Sequence, residues 1–305
     1  MFNGMYEGKK VFVTGHTGFK GSWLCSWLLQ LGADVCGYSI NIPTQPANFE
    51  ILGLQNRITH VEGDICNRVE LLRTMREFQP DIVFHLAAQS LVRKSYNDPA
   101  VTFETNVLGT MNVMECIRQC ASVKAGVIIT SDKCYRNLEW NWGYRENDLL
   151  GGEDPYSSSK GCAELIIYSY IHSFFRGTPC VASTRAGNVI GGVDRAEDRI
   201  VPDAVRSWSR GEAVIIRNPG ATRPWQHVLE PLSGYLWLGA KLLKNDTNVV
   251  GEAFNFGPAA SVNQSVEQLL SVMAKNWPSA RWKTNQIDGN THNESTLLNC
   301  AAIRH

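Results

Sequence analysis

Val127-Ile-Ile-Thr130-Ser131-Asp132-Lys133-Cys-Tyr135 and, after a loop, Asp154-Pro-Tyr156-Ser-Ser-Ser-Lys160 are the stretch on which the reading of this chain turns. The first four residues have the make-up of a short buried parallel strand, so Ser131 to Lys133 fall at its carboxyl end. Ligand crevices of open α/β sheets form at that edge. Tyr156 and Lys160 are four residues apart in a segment that turns helical, which places them on one helical face. A phenol becomes a base near neutral pH only with help, and an adjacent ammonium favours the phenolate. Tyr-x-x-x-Lys by itself occurs on many solvent-facing helices. Its meaning therefore depends on what precedes it.

What precedes it alternates strand and helix. Lys10-Val-Phe-Val-Thr14 reads as a strand, Gly15-His16-Thr17-Gly18-Phe19-Lys20-Gly21 as a turn, and Ser22 to Leu31 as a buried helix. That order suits a dinucleotide, because glycines admit a pyrophosphate and a helix N-terminus offers unpaired N–H groups. Lys20, inside the turn, is placed either for a phosphate or for solvent. A second strand, Asp34 to Tyr38, leads to Asn41, where an acidic residue would hold the adenine ribose. Asn41 can hydrogen-bond without charge, which leaves NAD and NADP both open.

Ile58 to Ile65 follows as a strand with Asp64 at its end, facing adenine. Arg68 to Phe78 is a helix, Asp81 to Ala88 a strand, and Val101 to Cys120 a helix containing Asn106. Ala87 and Ala88 are small enough for a loop under a flat cofactor. The pattern predicts an α/β fold, a doubly wound parallel Rossmann sheet with right-handed crossovers.

Composition narrows the class. With 305 residues, 44% hydrophobic, 19% charged and no formal net charge, the chain has no footprint for nucleic acid or an anionic membrane. No run reaches transmembrane length and the start lacks a signal-peptide core. Nine cysteines without paired or ligand-like spacing indicate reduced thiols in the cytoplasm and no metal site.

The second half changes character near residue 181. Residues 1–180 are expected to form the nucleotide-binding domain and 181–305 a smaller, interleaved substrate lobe. Arg199, Arg206, Arg210, Arg217 and Arg223 crowd this part of the sequence, and guanidinium forks match phosphate oxygens. Arg223-Pro-Trp225-Gln-His227 restrains a cation between rings. Helices are expected at Gly234 to Leu243 and Gln264 to Trp277, with a strand at Ala253 to Gly257 and the chain ending at Leu297 to His305.

Together, Gly15-x-x-Gly18-x-x-Gly21, Asp64-Ile65, His85-Leu86-Ala87-Ala88-Gln89, Asn106 and Tyr156-x-x-x-Lys160 resemble the extended short-chain dehydrogenase/reductase family. The resemblance spans essentially the whole chain, and Asn41 departs from its usual aspartate. It implies NAD held by the glycine turn from Gly15 to Gly21, Asn41, Asp64, Ile65, Leu86 to Gln89, Asn106, Thr130, Tyr156 and Lys160.

Thr130–Tyr135, Asp154–Glu164, Arg185–Gly192 and Thr222–Glu230 are similar to segments of the nucleotide-sugar dehydratases within that family. That likeness implies oxidation at carbon 4 by Tyr156 and Lys160, with Ser131 on the carbon-4 oxygen. Elimination of the carbon-6 hydroxyl follows, with Asp132 as acid and Lys133 as base where relatives commonly carry glutamate. A lysine base must be neutral, which burial and the nearby Lys160 favour. Asn188, Arg199, Arg217, Arg223 and Trp225 would hold the nucleotide sugar. The helix after Lys160 and the one around 101–120 would pair two copies into a homodimer, or into a homotetramer. The alternatives are an epimerase or reductase on the same fold, a dehydratase of a dTDP- or GDP-sugar, and a nucleotide-sensing regulatory protein that binds cofactor without turnover.

Overall fold

The computed structural model describes residues 1–284 apart from 139, 141, 176 and 259–261. The terminal stretch Leu297 to His305, with the rest of 285–305, lies outside the described residues. Six strands are met first: β1 (Lys10–Thr14), β2 (Asp34–Ser39), β3 (Thr59–Glu62), β4 (Ile82–His85), β5 (Ala125–Ile129) and β6 (Cys180–Ala186). Short strands β7 (Val189–Ile190), β8 (Val214–Ile216), β9 (Thr222–Pro224) and β10 (Gln226–His227) precede β11 (Ala253–Phe256), β12 (Asn263–Ser265) and β13 (Trp282–Thr284). The central sheet is all parallel with order β11-β6-β5-β4-β1-β2-β3. The strand order reverses between β1 and β4, and that switch point opens a crevice at the carboxyl ends.

Both faces are covered because side chains alternate along each strand. Val11, Val13, Ile82 and Phe84 pack under α1 (Phe19–Gln30) and α9 (Leu229–Leu243). Phe12, Cys36 and Val83 point the other way, onto α3 (Arg68–Phe78), α6 (Gly109–Gln119) and α7 (Pro155–Phe174). The helix expected over 101–120 is interrupted. The five-residue α5 (Pro99–Phe103) passes through a π turn, Glu104–Leu108, into α6. Among the described residues no helix is long and apolar enough to cross a membrane.

The 180/181 boundary falls inside β6, whose register with β5 and β11 keeps it in the large sheet. The chain leaves that sheet after Ala186 and returns with α9 and β11. Outside it, Ala204 and Trp208 of α8 (Ile200–Ser209), Val214 and Ile216 of β8, and Leu270 of α10 (Val266–Ala274) form a separate small core. The pairs β7·β10, β9·β12 and β8·β13 tie this part together. We therefore propose a lobe division by core membership, with 200–216 and 266–282 assigned to the smaller unit.

One polar contact crosses the large core. Glu164 of α7 pairs with Arg185 of β6 at 2.7 Å, the side chains only 3% and 5% exposed. Glu164 also accepts from Thr130 Oγ1 and from Ser183 Oγ at 3.0 Å, and Arg185 donates to the Tyr135 hydroxyl at 2.7 Å. Removing one member strands a buried charge, which typically costs about 3–5 kcal/mol. Arg185→Met is therefore expected to lower unfolding free energy by that amount, with Arg185→Met/Glu164→Gln recovering part of it. Equilibrium urea denaturation of the three proteins measures this.

Candidate functional site

The crevice is built from three carboxyl-terminal edges and one helix. At β1, the chain turns sharply through Gly15, whose φ is +74° and whose absent Cβ would stand 2.7 Å from Ala87 N. The β4 loop thus lies directly against the β1 turn. Ala87 N donates to Thr14 Oγ1 at 3.2 Å, and Thr14 hydrogen-bonds His85 Nδ1 at 2.7 Å. Gly18 caps α1, and the first N–H groups of that helix, at Phe19, Lys20 and Gly21, have no acceptor within it. Such a terminus beside two small residues, Ala87 and Ala88, fits a dinucleotide pyrophosphate.

His16 and Thr17 brace the turn from behind. His16 hydrogen-bonds Ser39 Oγ at 2.9 Å and His60 Nδ1 at 2.7 Å, joining β1, β2 and β3. Thr17 Oγ1 donates to the Asn41 carbonyl at 2.6 Å, so Asn41 meets the turn through its backbone. Asp64 caps its own loop, accepting from Cys66 N at 2.8 Å, while Ile65 is buried in the core.

Gln89 and Asn106 are spent on the protein. Asn106, in the π turn, accepts from Gln89 N at 2.8 Å and donates to the Gln89 carbonyl and to Ser159 Oγ. The Gln89 side chain reaches Leu91 and Thr102. These bonds fix the β4 loop against α7 one residue before Lys160.

At the end of β5, Thr130 binds Glu164, and Ser131 begins a tight turn, Asp132–Cys134. Ser131 Oγ donates to Asp132 Oδ1 at 2.9 Å and accepts from Lys133 N at 3.2 Å. Asp132 is buried, and Oδ2 has no hydrogen-bond partner among the described residues. Burial pushes its carboxyl up, against Lys133, Ser131, Arg223 and Lys20. Burial thus favours the neutral, proton-bearing form of this acid.

Helix α7 is launched by Asp154, which accepts from Ser157 N at 2.9 Å, with Pro155 in the first turn. Tyr156 N donates to Ser95 Oγ at 3.2 Å, an anchor in α4 (Val92–Asn97) that the sequence does not flag. Burial raises the Tyr156 phenol to about 12, outweighing the Ser131 hydrogen bond, with Asp132 adding to the rise. The expected depression by an ammonium is therefore overridden by desolvation. Burial lowers Lys160 to about 8, against Glu164.

Lys20 does not stop at the phosphate position. Its ammonium lies 5.9 Å over the Tyr235 ring of α9, and burial, then Arg199, lowers it to about 8. Tyr235 sits beside Thr184 and feels Asp132, which makes it a floor residue of the site. Only tertiary packing reveals this, since its helix reads as plain core.

The arginines divide. Arg223 is buried and influences Asp132, and Arg199, paired with Asp194 at 3.0 Å, influences Lys20 and Tyr156. Arg217 lies farther out, 3.5 Å from Asp198, which also binds Arg93 of α4. Trp225 donates to the Gln264 carbonyl at 3.1 Å, and the Asn188 carbonyl accepts from Gln226 N at 3.2 Å. Among the described residues no cluster of three or more His, Cys, Asp or Glu could hold a metal.

Residues 12–296 match the family model described as GDP-mannose 4,6 dehydratase. A CDP-glucose 4,6-dehydratase of Salmonella typhimurium is 49% identical over 94% of this chain and 81% of its own. A CDP-paratose 2-epimerase of Salmonella typhi is 28% identical over 87% and 83%. The structure of a dTDP-glucose 4,6-dehydratase from Streptomyces venezuelae superposes with a TM-score of 0.76 at 23% identity, covering 91% of this chain and 85% of that one.

His16 and His85 are both lowered to about 3, mainly by burial, with His60 and Lys160 respectively adding to it. In the unfolded chain each protonates near 6.5. The unfolded state then binds more protons, so their contribution is full above pH 6.5 and drains away toward pH 3. Stability should fall between pH 7 and 5 by about 1.4 kcal/mol per pH unit per histidine once below 6.5. His85→Asn should flatten that slope in urea titrations at several pH values.

Proposed function

The chain belongs to the GDP-mannose 4,6-dehydratase family, and on that premise we propose an NAD-dependent hydro-lyase converting CDP-D-glucose to CDP-4-dehydro-6-deoxy-D-glucose. The observation that carries dehydration is Asp132, a buried acid whose carboxyl burial pushes up, in the same pocket as Tyr156. An epimerase or reductase has no step that needs such an acid. The choice of cytidine rests on the 49% identity to a dehydratase of that name.

NAD, when bound, takes a hydride from carbon 4 and returns it to carbon 6. Gly15 to Gly21 and the first turn of α1 would hold its pyrophosphate, with Ala87 and Ala88 beneath and Asp64 near the adenosine. Ser131 holds the carbon-4 oxygen and Tyr156 takes its proton, with Lys160 in support. Lys133 removes the carbon-5 proton and Asp132 protonates the departing hydroxyl. Arg199, Arg223 and Asn188 receive the substrate diphosphate, and Arg217 and Trp225 form the outer rim. The enzyme works in the cytoplasm as a homodimer. Leu165, Tyr168 and Phe174 of α7 are 60%, 63% and 54% exposed, and Leu108 in the π turn is 49% exposed. A partner would cover these apolar side chains.

Product analysis with purified protein, CDP-glucose and NAD tests the reaction; no 4-keto-6-deoxy product would sink it. Light scattering tests the dimer, and a monomeric mass at working concentration counts against it. Lys133→Met should bind substrate and show one persistent burst of reduced cofactor at 340 nm, with turnover down about 10²–10⁴-fold. Tyr156→Phe should lose the burst itself. Normal dehydration by Lys133→Met would leave Lys133 no part in elimination.

A further inference from the structure

The proton count of this reaction does not close unless two residues exchange. In oxidation the O4–H bond breaks and its proton goes to Tyr156, while the carbon-4 hydrogen leaves as hydride. In elimination Lys133 takes the carbon-5 proton, the C6–O bond breaks, and Asp132 supplies the proton that makes water. In the return step the hydride arrives at carbon 6 and Lys133 gives its proton back to carbon 5. The nicotinamide and Lys133 end as they began. Tyr156 ends one proton richer and Asp132 one proton poorer.

Resting on the dehydration reading, we propose that Ser131 is the relay that returns this proton, from Tyr156 through Ser131 Oγ to Asp132 Oδ1, with Oδ2 as the delivering oxygen. A serine hydroxyl has one donor and two acceptor sites. In the structure the donor points at Asp132 Oδ1 across 2.9 Å, and one acceptor site is filled by Lys133 N at 3.2 Å. The remaining acceptor site is free for the hydroxyl of Tyr156, whose phenol is close enough for Ser131 to act on it. Passing one proton along this chain makes a Tyr156 phenolate and an Asp132 acid, which is the starting state. Ser131, Asp132 and Tyr156 are 7%, 3% and 8% exposed, so bulk water is a poor competitor for either end.

The two carboxyl oxygens are also physically distinct. Oδ1 is tied to Ser131, whereas Oδ2 is buried with no partner among the described residues. A Cβ on Gly187 would stand 3.3 Å from Oδ2 and 2.9 Å from Pro224 Cγ. Glycine at 187 therefore leaves space beside Oδ2 that any side chain would crowd. A proton accepted on the oxygen facing Ser131 stays on that oxygen, so the carboxyl turns about its Cβ–Cγ bond once per turnover to bring the loaded oxygen to the Oδ2 position.

The test is pre-steady-state kinetics of the NAD-loaded protein with excess CDP-glucose, in weak buffer with a pH-indicator dye. Wild type should form product linearly from the first turnover, with no proton passing to the dye. Ser131→Ala should complete one product per site and then slow, its steady state falling at least about tenfold more than its first turnover. In that slow phase any proton that Tyr156 loses to the dye should be matched by one that Asp132 takes up, leaving no net acid, and the phase should accelerate with added imidazole buffer. Ser131→Thr keeps the hydroxyl and should restore linear progress. A Ser131→Ala protein that is slowed equally in the first and later turnovers, with no buffer effect, overturns the relay and leaves Ser131 to the oxidation alone. A threonine variant that behaves like alanine overturns it as well. Failure of wild type to dehydrate CDP-glucose would instead overturn the functional reading, and the relay with it. Equal melting temperatures of the variants guard against misfolding.

Discussion

The buried contact between Glu164 and Arg185 fixes how α7 is rotated about its axis, and the chemistry hangs on that rotation. Glu164 is one turn beyond Lys160 and two beyond Tyr156, so whatever orients its carboxylate orients all three. The carboxylate is met from β5 by Thr130 and from β6 by Ser183 and Arg185. Arg185 then reaches Tyr135, which donates to Asn255 of β11 at 2.7 Å. A helix that could otherwise roll on an apolar sheet is locked by directional bonds. Apolar packing supplies the attraction but no such register.

The charges around Asp132 form an unusual crowd. Lys20, Lys133 and Arg223 all act on it, while Lys160 and Arg199 bear on Lys20 in turn. Burial opposes each charge separately, and the lysines oppose one another. A dinucleotide and a nucleotide sugar would each bring a diphosphate into this setting. The cationic excess is therefore complementary to ligands of that kind, and it favours a site filled by both at once.

Much of this was legible in the sequence. The β1 strand, its glycine turn and the following helix follow from local rules, as do the alternation that builds the doubly wound sheet and the spacing of Tyr156 and Lys160. The rest depended on contacts between distant segments. Gln89 reads as a cofactor residue, yet its bonds run to Asn106, Leu91 and Thr102. Lys20 reads as a phosphate ligand or a solvated cation, and only the arrival of α9 shows the ring over which its ammonium rests. No periodicity marks Ser95 or Tyr235, because their significance is set by neighbours far away in the sequence. The place where the sheet gives way to the smaller lobe was blurred for the same reason: β6 and β11 have ordinary strand sequences, and only their register shows which sheet they join.

The excursion from Gly187 to Val228 is tied off at its neck, where β7 and β10 pair as Val189 with Gln226 and Ile190 with His227. Viewed as a polymer, it is a loop whose ends are already held together by the large sheet. The entropy of closing it is therefore charged to the sheet and not to the lobe. The small core that its Ala204, Trp208, Val214 and Ile216 make with Leu270 of α10 can open without unzipping β6 or β11. Hydrogen exchange in such a molecule would show two tiers of protection, a deep one in the sheet and a shallower one in the lobe, with the neck as the border between them. The turn at Ser131 follows β5 directly and belongs to the deep tier, so the lobe can loosen while that turn stays in place.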